Sequence, residues 1–240
     1  MFRPSYPQAL IARLAALAPG LDAAWDCATG NGQAALLLAA HFAHVLATDA
    51  SREQLARAAS HPRVVYRQAL ADDSGAPPTS VDLVTVAQAL HWFDRDRFYG
   101  EVERVLRPGG ILAVWCYGAA RVSPEVDAIL DWFYYERVGR HWPLERRHVE
   151  EGYRDLPFPF ADIDIGEWTM TASLDRRALI GYVGTWSAVA RACAAERKDP
   201  LSDLSTALAG PWPDAAQAEP RPVTWRMGLR VGRKGPGGAG

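Results

Sequence analysis

The sequence predicts an α/β fold built on a doubly wound, mostly parallel sheet. Three observations predict it: short apolar runs alternating with helix-period segments over residues 20–118, a glycine turn directly after the first run, and an acid ending each of the first two runs. Strands separated by helices are parallel and joined by right-handed crossovers. A parallel sheet is covered on both faces, which accounts for nearly continuous apolar runs such as Val81-Asp82-Leu83-Val84-Thr85-Val86.

Taken in order, Pro7 to Ala18 reads as a helix with Leu10, Ile11, Leu14 and Leu17 on one face, stopped by Pro19-Gly20. Ala23 to Asp26 ends the first strand, and an apolar helix follows over Ala34 to Ala43. Val45 to Thr48 is the second strand and stops at Asp49; Ser51 and Gln54 then open a helix in capping-box spacing. Val64-Val65-Tyr66 is the third strand and Val81 to Val86 the fourth. A helix near Asp96 to Leu106 stops at Pro108-Gly109-Gly110, and Ile111 to Trp115 is the fifth strand. Ser123-Pro124-Glu125 starts a further helix. Residues 139–160 read as an aromatic, Arg-rich insertion, and one long helix is expected from about Asp175 to Glu196. Val223, Trp225, Met227, Leu229 and Val231 alternate with polar or small residues, the two-residue period of a half-buried strand, antiparallel and near an edge. Residues 235–240 are expected to be a disordered tail.

Composition narrows the function. The 240 residues carry a formal charge of -2, so nothing in bulk draws the chain to nucleic acid or to an anionic membrane. Lys198 and Lys234 are the only lysines, and both lie in polar or tail segments, which argues against a Schiff-base mechanism. Cys27, Cys116 and Cys193 are odd in number and widely spaced, so neither a disulfide framework nor a zinc ribbon is supported. His41 and His44 could share a helix face but lack a third ligand nearby, and no metal is expected. No leader pattern and no bilayer-length apolar run is legible, so the cytoplasm is the expected compartment, with a monomer or weak homodimer as the default.

The chemistry centres on Asp26-Cys27-Ala28-Thr29-Gly30-Asn31-Gly32. Glycines let a backbone turn sharply and bring bare amides to a ligand, and the next helix start favours a carboxylate or phosphate. Asp49, ending the second strand, can accept hydrogen bonds from both hydroxyls of a ribose. Gly30-x-Gly32-x-x-Ala35 followed by Asp49 also satisfies the dinucleotide fingerprint. Asp26 before the glycines would repel a pyrophosphate and attract a cation, which favours the adenosyl sulfonium over NAD. Ala71-Asp72 after the third strand offers a polar stop where an adenine would lie.

With these motifs the sequence resembles the class I S-adenosylmethionine-dependent methyltransferases, and among them the small-molecule group containing the trans-aconitate methyltransferases. The resemblance is close from Phe2 to about Trp115 and looser to Arg233. It implies one Rossmann-like domain over residues 1–234, with a seven-stranded sheet and an antiparallel C-terminal strand. The core would span 20–118 and 161–233, with a lid over about 123–160. It implies S-adenosylmethionine as cofactor, its methionine part in the loop of Asp26, Ala28, Gly30, Asn31 and Gly32. Asp49 and Ala50 would take the ribose, and Leu70, Ala71 and Asp72 the adenine side. Ala87 and Gln88, opening the segment that runs on to His91 and Trp92, would flank the sulfonium. Arg107-Pro108-Gly109-Gly110 matches a structural turn. The segment Phe2-Arg3-Pro4-Ser5-Tyr6-Pro7 resembles one that closes over the cofactor, bringing Arg3 and Tyr6 to the acceptor. Relatives carry a further stretch upstream, so either a late start at Met1 or a more open site is expected. Ala28 stands at the family's first glycine, and Leu70 replaces a common acid.

Methyl transfer from a sulfonium is an in-line displacement that asks mainly for alignment and exclusion of water. A carboxylate acceptor loses no proton; a hydroxyl or amine would gain from a base, and His91 is the candidate. Trp115 and Tyr117 are expected at the edge of the acceptor pocket, and Trp142 and Arg146 in the lid facing an acidic small molecule. Trp92 is expected in the core, and Trp186 as helix packing. The competing readings are a binding module without catalysis and an NAD-linked oxidoreductase.

Overall fold

A computed structural model of the chain describes residues 4–213 and 219–236; Arg3 and residues 237–240 of the expected tail lie outside the described residues. The first helix, α1 (Gln8–Leu17), buries Leu10, Ile11 and Leu14 completely, each such side chain stabilising the fold by about 1.5–3 kcal/mol. Then come β1 (Ala23–Cys27), α2 (Gln33–Leu38), β2 (His44–Asp49), α3 (Arg52–Leu55), β3 (Val64–Gln68) and β4 (Val81–Ala87). They are followed by α4 (Arg95–Val105), β5 (Leu106–Arg121), α5 (Pro124–Asp131) and α6 (Arg146–Glu150). The chain ends with β6 (Thr169–Leu174), α7 (Arg176–Val183), α8 (Ser187–Glu196), α9 (Leu201–Leu208) and β7 (Arg221–Arg233).

The seven strands form one sheet in the order β3-β2-β1-β4-β5-β7-β6. Strands β1 to β5 pair in parallel, and β6 pairs antiparallel with β7. The chain divides into two compact units: residues 6–117, 148–168 and 227–236 in one, residues 4–5, Gly118–Arg147 and Thr169–Arg226 in the other. The boundary between the units at Arg147 falls inside the stretch expected as a lid over about 123–160. In the first unit, Trp25, Cys27, Val84, Val86, Leu112, Val114 and Cys116 share a core with Phe98, Val102 and Val105 of α4, and Val149, Tyr153 and Leu156 join it. Among the described residues no helix is long and apolar enough to cross a membrane.

Several expectations are corrected. The helix after the glycine turn ends at Leu38 rather than Ala43, because Ala43 and His44 must already donate to the carbonyls of Leu21 and Asp22 as β2 begins. Pro108-Gly109-Gly110 does not separate a helix from a strand. Leu106 already pairs with Val81, the next register partner of β4 is Ile111, and residues 107–110 are accommodated as an irregularity between them. The helix expected over 175–196 is two helices. It breaks where the Thr185 hydroxyl donates to the Tyr182 carbonyl, a side-chain bond that competes with helical continuation. Strand β6 and helix α9 were not expected, although Met170 and Ala172 alternate and Leu201, Leu204 and Leu208 follow a helical period.

Candidate active site

Strand β1 has β2 and β3 on one side and β4 and β5 on the other, so the carboxyl ends of β1 and β4 mark the point where strand order reverses. Ligands of open parallel sheets bind at that point. Both residues leaving these strands are non-glycines in left-handed conformation: Ala28 (φ 53°) and Gln88 (φ 60°). Each such residue costs about 1–2 kcal/mol, and the strain persists only where surrounding bonds impose it. For Gln88 they do so directly. Its N–H donates to the Trp115 carbonyl at 2.8 Å and its side-chain amide to the Tyr117 carbonyl at 3.3 Å.

The loop after Ala28 is held from β2. The Thr29 N–H donates to the Thr48 carbonyl (2.8 Å), and the Gly30 N–H to Asp49 Oδ2 (2.8 Å). Asp49 Oδ1 takes the Ser51 N–H at 2.8 Å, so this one carboxylate ties the loop to the start of α3. Ser51 in turn caps that helix by accepting from the Gln54 N–H, the half of the capping box read from the sequence. Gly30 (φ 58°) and Gly32 (φ 86°) both need the left-handed freedom of glycine. A Cβ at Gly32 would run into the Tyr66 hydroxyl, whereas one at Gly30 would meet nothing within 4 Å. The loop is thus packed at one glycine and open at the other.

Asp26 lies beneath this loop rather than on it. It is 1% exposed; Oδ2 accepts from the Thr29 hydroxyl (2.5 Å) and Oδ1 from the Thr85 hydroxyl on β4 (2.7 Å). Burial pushes its carboxyl up to about 6, against the lowering pull of the Thr29 and Thr85 hydroxyls and the Ala35 N–H. The role of Thr85 follows from register, since Asp26 pairs with Thr85 across β1 and β4, whereas Thr29 reaches Asp26 locally from three residues on.

The remaining expected residues divide clearly. Ala71, Ala87 and Asn31 are partly buried near the strand ends, whereas Ala50 is exposed. Asp72 faces Arg97 at 3.5 Å, and Leu70 is 62% exposed. His91 is buried, with Nδ1 2.8 Å from the Tyr153 hydroxyl. Trp92, expected in the core, is instead 52% exposed, because the 3-10 turn Leu90–Trp92 turns Leu90 and His91 inward. The fifth strand does not end at Trp115 as expected, which bears on both Trp115 and Tyr117. Strand β5 continues to Arg121, which leaves both buried within it. The Tyr6 ring meets Trp115 edge-on at 5.4 Å, and the Trp115 indole N–H has no acceptor among the described residues. In the other unit, Arg146 lies 4.7 Å over the Trp142 ring and donates to the Tyr134 hydroxyl (2.7 Å). The cation expected to meet an acidic acceptor is thereby engaged in an aromatic cluster that also holds Trp186.

Comparison with known proteins agrees with this geometry. A family model described as a methyltransferase domain matches residues 25–114. A Dictyostelium discoideum protein named as a methyltransferase is 35% identical over 190 residues, covering 78% of this chain and 72% of its own. An uncharacterized methyltransferase of Mycobacterium tuberculosis is 34% identical over 188 residues, 77% of this chain and 72% of its own. A solved structure from Anaeromyxobacter dehalogenans, named as a type II methyltransferase, is 45% identical with a TM-score of 0.90, covering 98% of this chain and 100% of its own. These likenesses carry the family and not the trans-aconitate group within it. Strand order, strained strand ends and similarity along most of both chains converge on one assignment: the chain belongs to the class I, S-adenosylmethionine-dependent methyltransferases.

Proposed function

We propose that the chain binds S-adenosylmethionine over the Ala28–Gly32 loop and moves its methyl group to a small-molecule acceptor. The observation that carries this reading is the open face at Gly30 on a loop pinned by Asp49. A bare, outward-facing backbone beside a strand-end carboxylate suits an amino acid joined to a nucleoside. Asp49 would hold the ribose hydroxyls. Each of its oxygens already accepts one backbone N–H, and a carboxylate oxygen has two lone pairs, so one on each remains. Ala71 and Asp72 would border the adenine, and Ala87 and Gln88 the sulfur. The ionised Asp26 carboxylate would draw the cofactor's cationic end from below the loop, at short range and in a low dielectric.

When bound, the cofactor supplies a methyl carbon made electrophilic by a positively charged sulfur. The protein's part is to align the acceptor and exclude water. Tyr6 beside Trp115 would close over the reacting groups, and His91 would meet the acceptor oxygen. A small acceptor also fits the near-neutral charge, which provides no field for nucleic acid. The reading sets the protein in the cytoplasm, acting alone or as a weak homodimer. Titration calorimetry tests it: S-adenosylhomocysteine binds in the micromolar range, and Asp49→Ala abolishes the heat. Binding of NAD in its place would overturn the proposal. A metabolite panel incubated with methyl-labelled cofactor then identifies the acceptor.

A further inference from the structure

The hydroxyl of Tyr153 is 2.8 Å from Nδ1 of His91, and both side chains are buried, Tyr153 completely. The two residues are 62 positions apart, and the backbone goes to some length to bring them together. Tyr153 is left-handed (φ 65°) directly after a left-handed Gly152 (φ 62°), a conformation that disfavours any residue with a Cβ. Its N–H returns to the His148 carbonyl at 2.8 Å, closing the end of α6. Gly152 meets Gly228 of β7 so closely that a Cβ on Gly228 would strike the Gly152 backbone. A tight two-glycine contact and a strained tyrosine thus deliver one phenol to one imidazole nitrogen. Their rings also pack, with centroids 5.9 Å apart.

We infer that Tyr153 is a positioning residue that fixes the orientation and tautomer of His91, an inference that rests on the reading of His91 as the group meeting the acceptor. A phenol is a stronger acid than a neutral imidazole N–H, and an imidazole nitrogen is a better acceptor than a phenol oxygen. The hydroxyl therefore donates to Nδ1, and the ring proton sits on Nε2. The partner of one ring nitrogen decides what the other presents. Held in this form, neutral His91 offers Nε2–H as a donor to an acceptor oxygen rather than a lone pair to a proton. The base role suggested by its place after the fourth strand is replaced by orientation of an oxygen that already carries negative charge.

The test is long-range proton–nitrogen NMR on the whole chain labelled with [15N]histidine, with S-adenosylhomocysteine present and His91 assigned by the loss of its signals in His91→Gln. Wild-type protein at neutral pH should show a single Nε2–H tautomer with a hydrogen-bonded Nδ1. Tyr153→Phe keeps the ring and the strained backbone and removes only the hydroxyl. It should move the Nδ1 resonance to that of an unbonded nitrogen and bring the Nδ1–H form into the mixture, while calorimetric binding of S-adenosylhomocysteine is unchanged. An Nδ1–H tautomer in the wild type, or identical His91 signals in wild type and Tyr153→Phe, overturns the inference. Neither result touches the cofactor reading, which stands or falls on Asp49.

Discussion

Replacing Asp26 by asparagine keeps the shape of the side chain and removes its charge. The two hydroxyls that reach it can rotate to suit either partner, so the main change is the loss of a buried ionisable group. Burial raises that carboxyl from 3.8 to about 6, a gap of roughly two pH units that corresponds to about 3 kcal/mol. The folded protein holds this proton more tightly than the unfolded chain does. Its stabilising contribution is complete below about pH 3.8 and is lost as the pH rises through about 6. Asparagine has no such loss. The unfolding free energy of Asp26→Asn minus that of wild type should therefore grow by about 2–3 kcal/mol between pH 4 and pH 7. Urea unfolding followed by tryptophan fluorescence at half-unit pH steps measures it. A difference that stays flat over that window would refute a buried, desolvated carboxylate at this position. The cofactor supplies the complement: S-adenosylmethionine should bind wild type more tightly as pH rises through the same window, and Asp26→Asn should lose that rise. A group that costs stability where it is ionised is one retained for what it binds.

Four further outcomes are expected. Ala28→Gly should raise stability by about 0.5–1 kcal/mol, since relief of left-handed strain exceeds the added entropy of the unfolded chain; a lowered melting temperature contradicts this. Gly32→Ala should cost at least about 1–2 kcal/mol in backbone strain alone, with Tyr66 displaced and S-adenosylhomocysteine binding weakened; unchanged binding would separate loop geometry from the site. Arg107 donates to both oxygens of Asp82 at 2.8 Å, where Asp82 is 2% exposed. Arg107→Ala should thus cost about 3 kcal/mol by leaving a buried charge unpaired, with cofactor affinity intact. Trp92→Ala should change stability by less than about 1 kcal/mol, as for a surface position; a loss of several would mean that its ring is buried in solution.

Legibility in the sequence followed the strength of local pattern. Strands β1 to β5 could be read because each is an apolar run bounded by a turn or an acid, and β7 because five apolar residues alternate without interruption. Strand β6 was missed because its outward positions are threonine and serine and only Met170 is fully buried, so its period is faint. The break at Trp186 was missed because the apolar period continues across it while the Thr185 hydroxyl ends the helix. At the site, the loop and Asp49 were legible because glycines and strand-end acids are local signals. Thr85 under Asp26 and Tyr153 beside His91 were not, since register and a left-handed turn between distant segments place them. For Arg146 the sequence left two readings open, since a cation beside aromatic residues reads equally as a ligand clamp and as one half of a packed cluster.

The most direct measurement is a crystal structure of the chain grown with S-adenosylhomocysteine. The nucleoside should lie across the carboxyl ends of β1 and β4, with both ribose hydroxyls on the Asp49 carboxylate and the amino acid part against the exposed backbone of Gly30. A ligand bound elsewhere, with Asp49 still engaged only by the amides of Gly30 and Ser51, would contradict it.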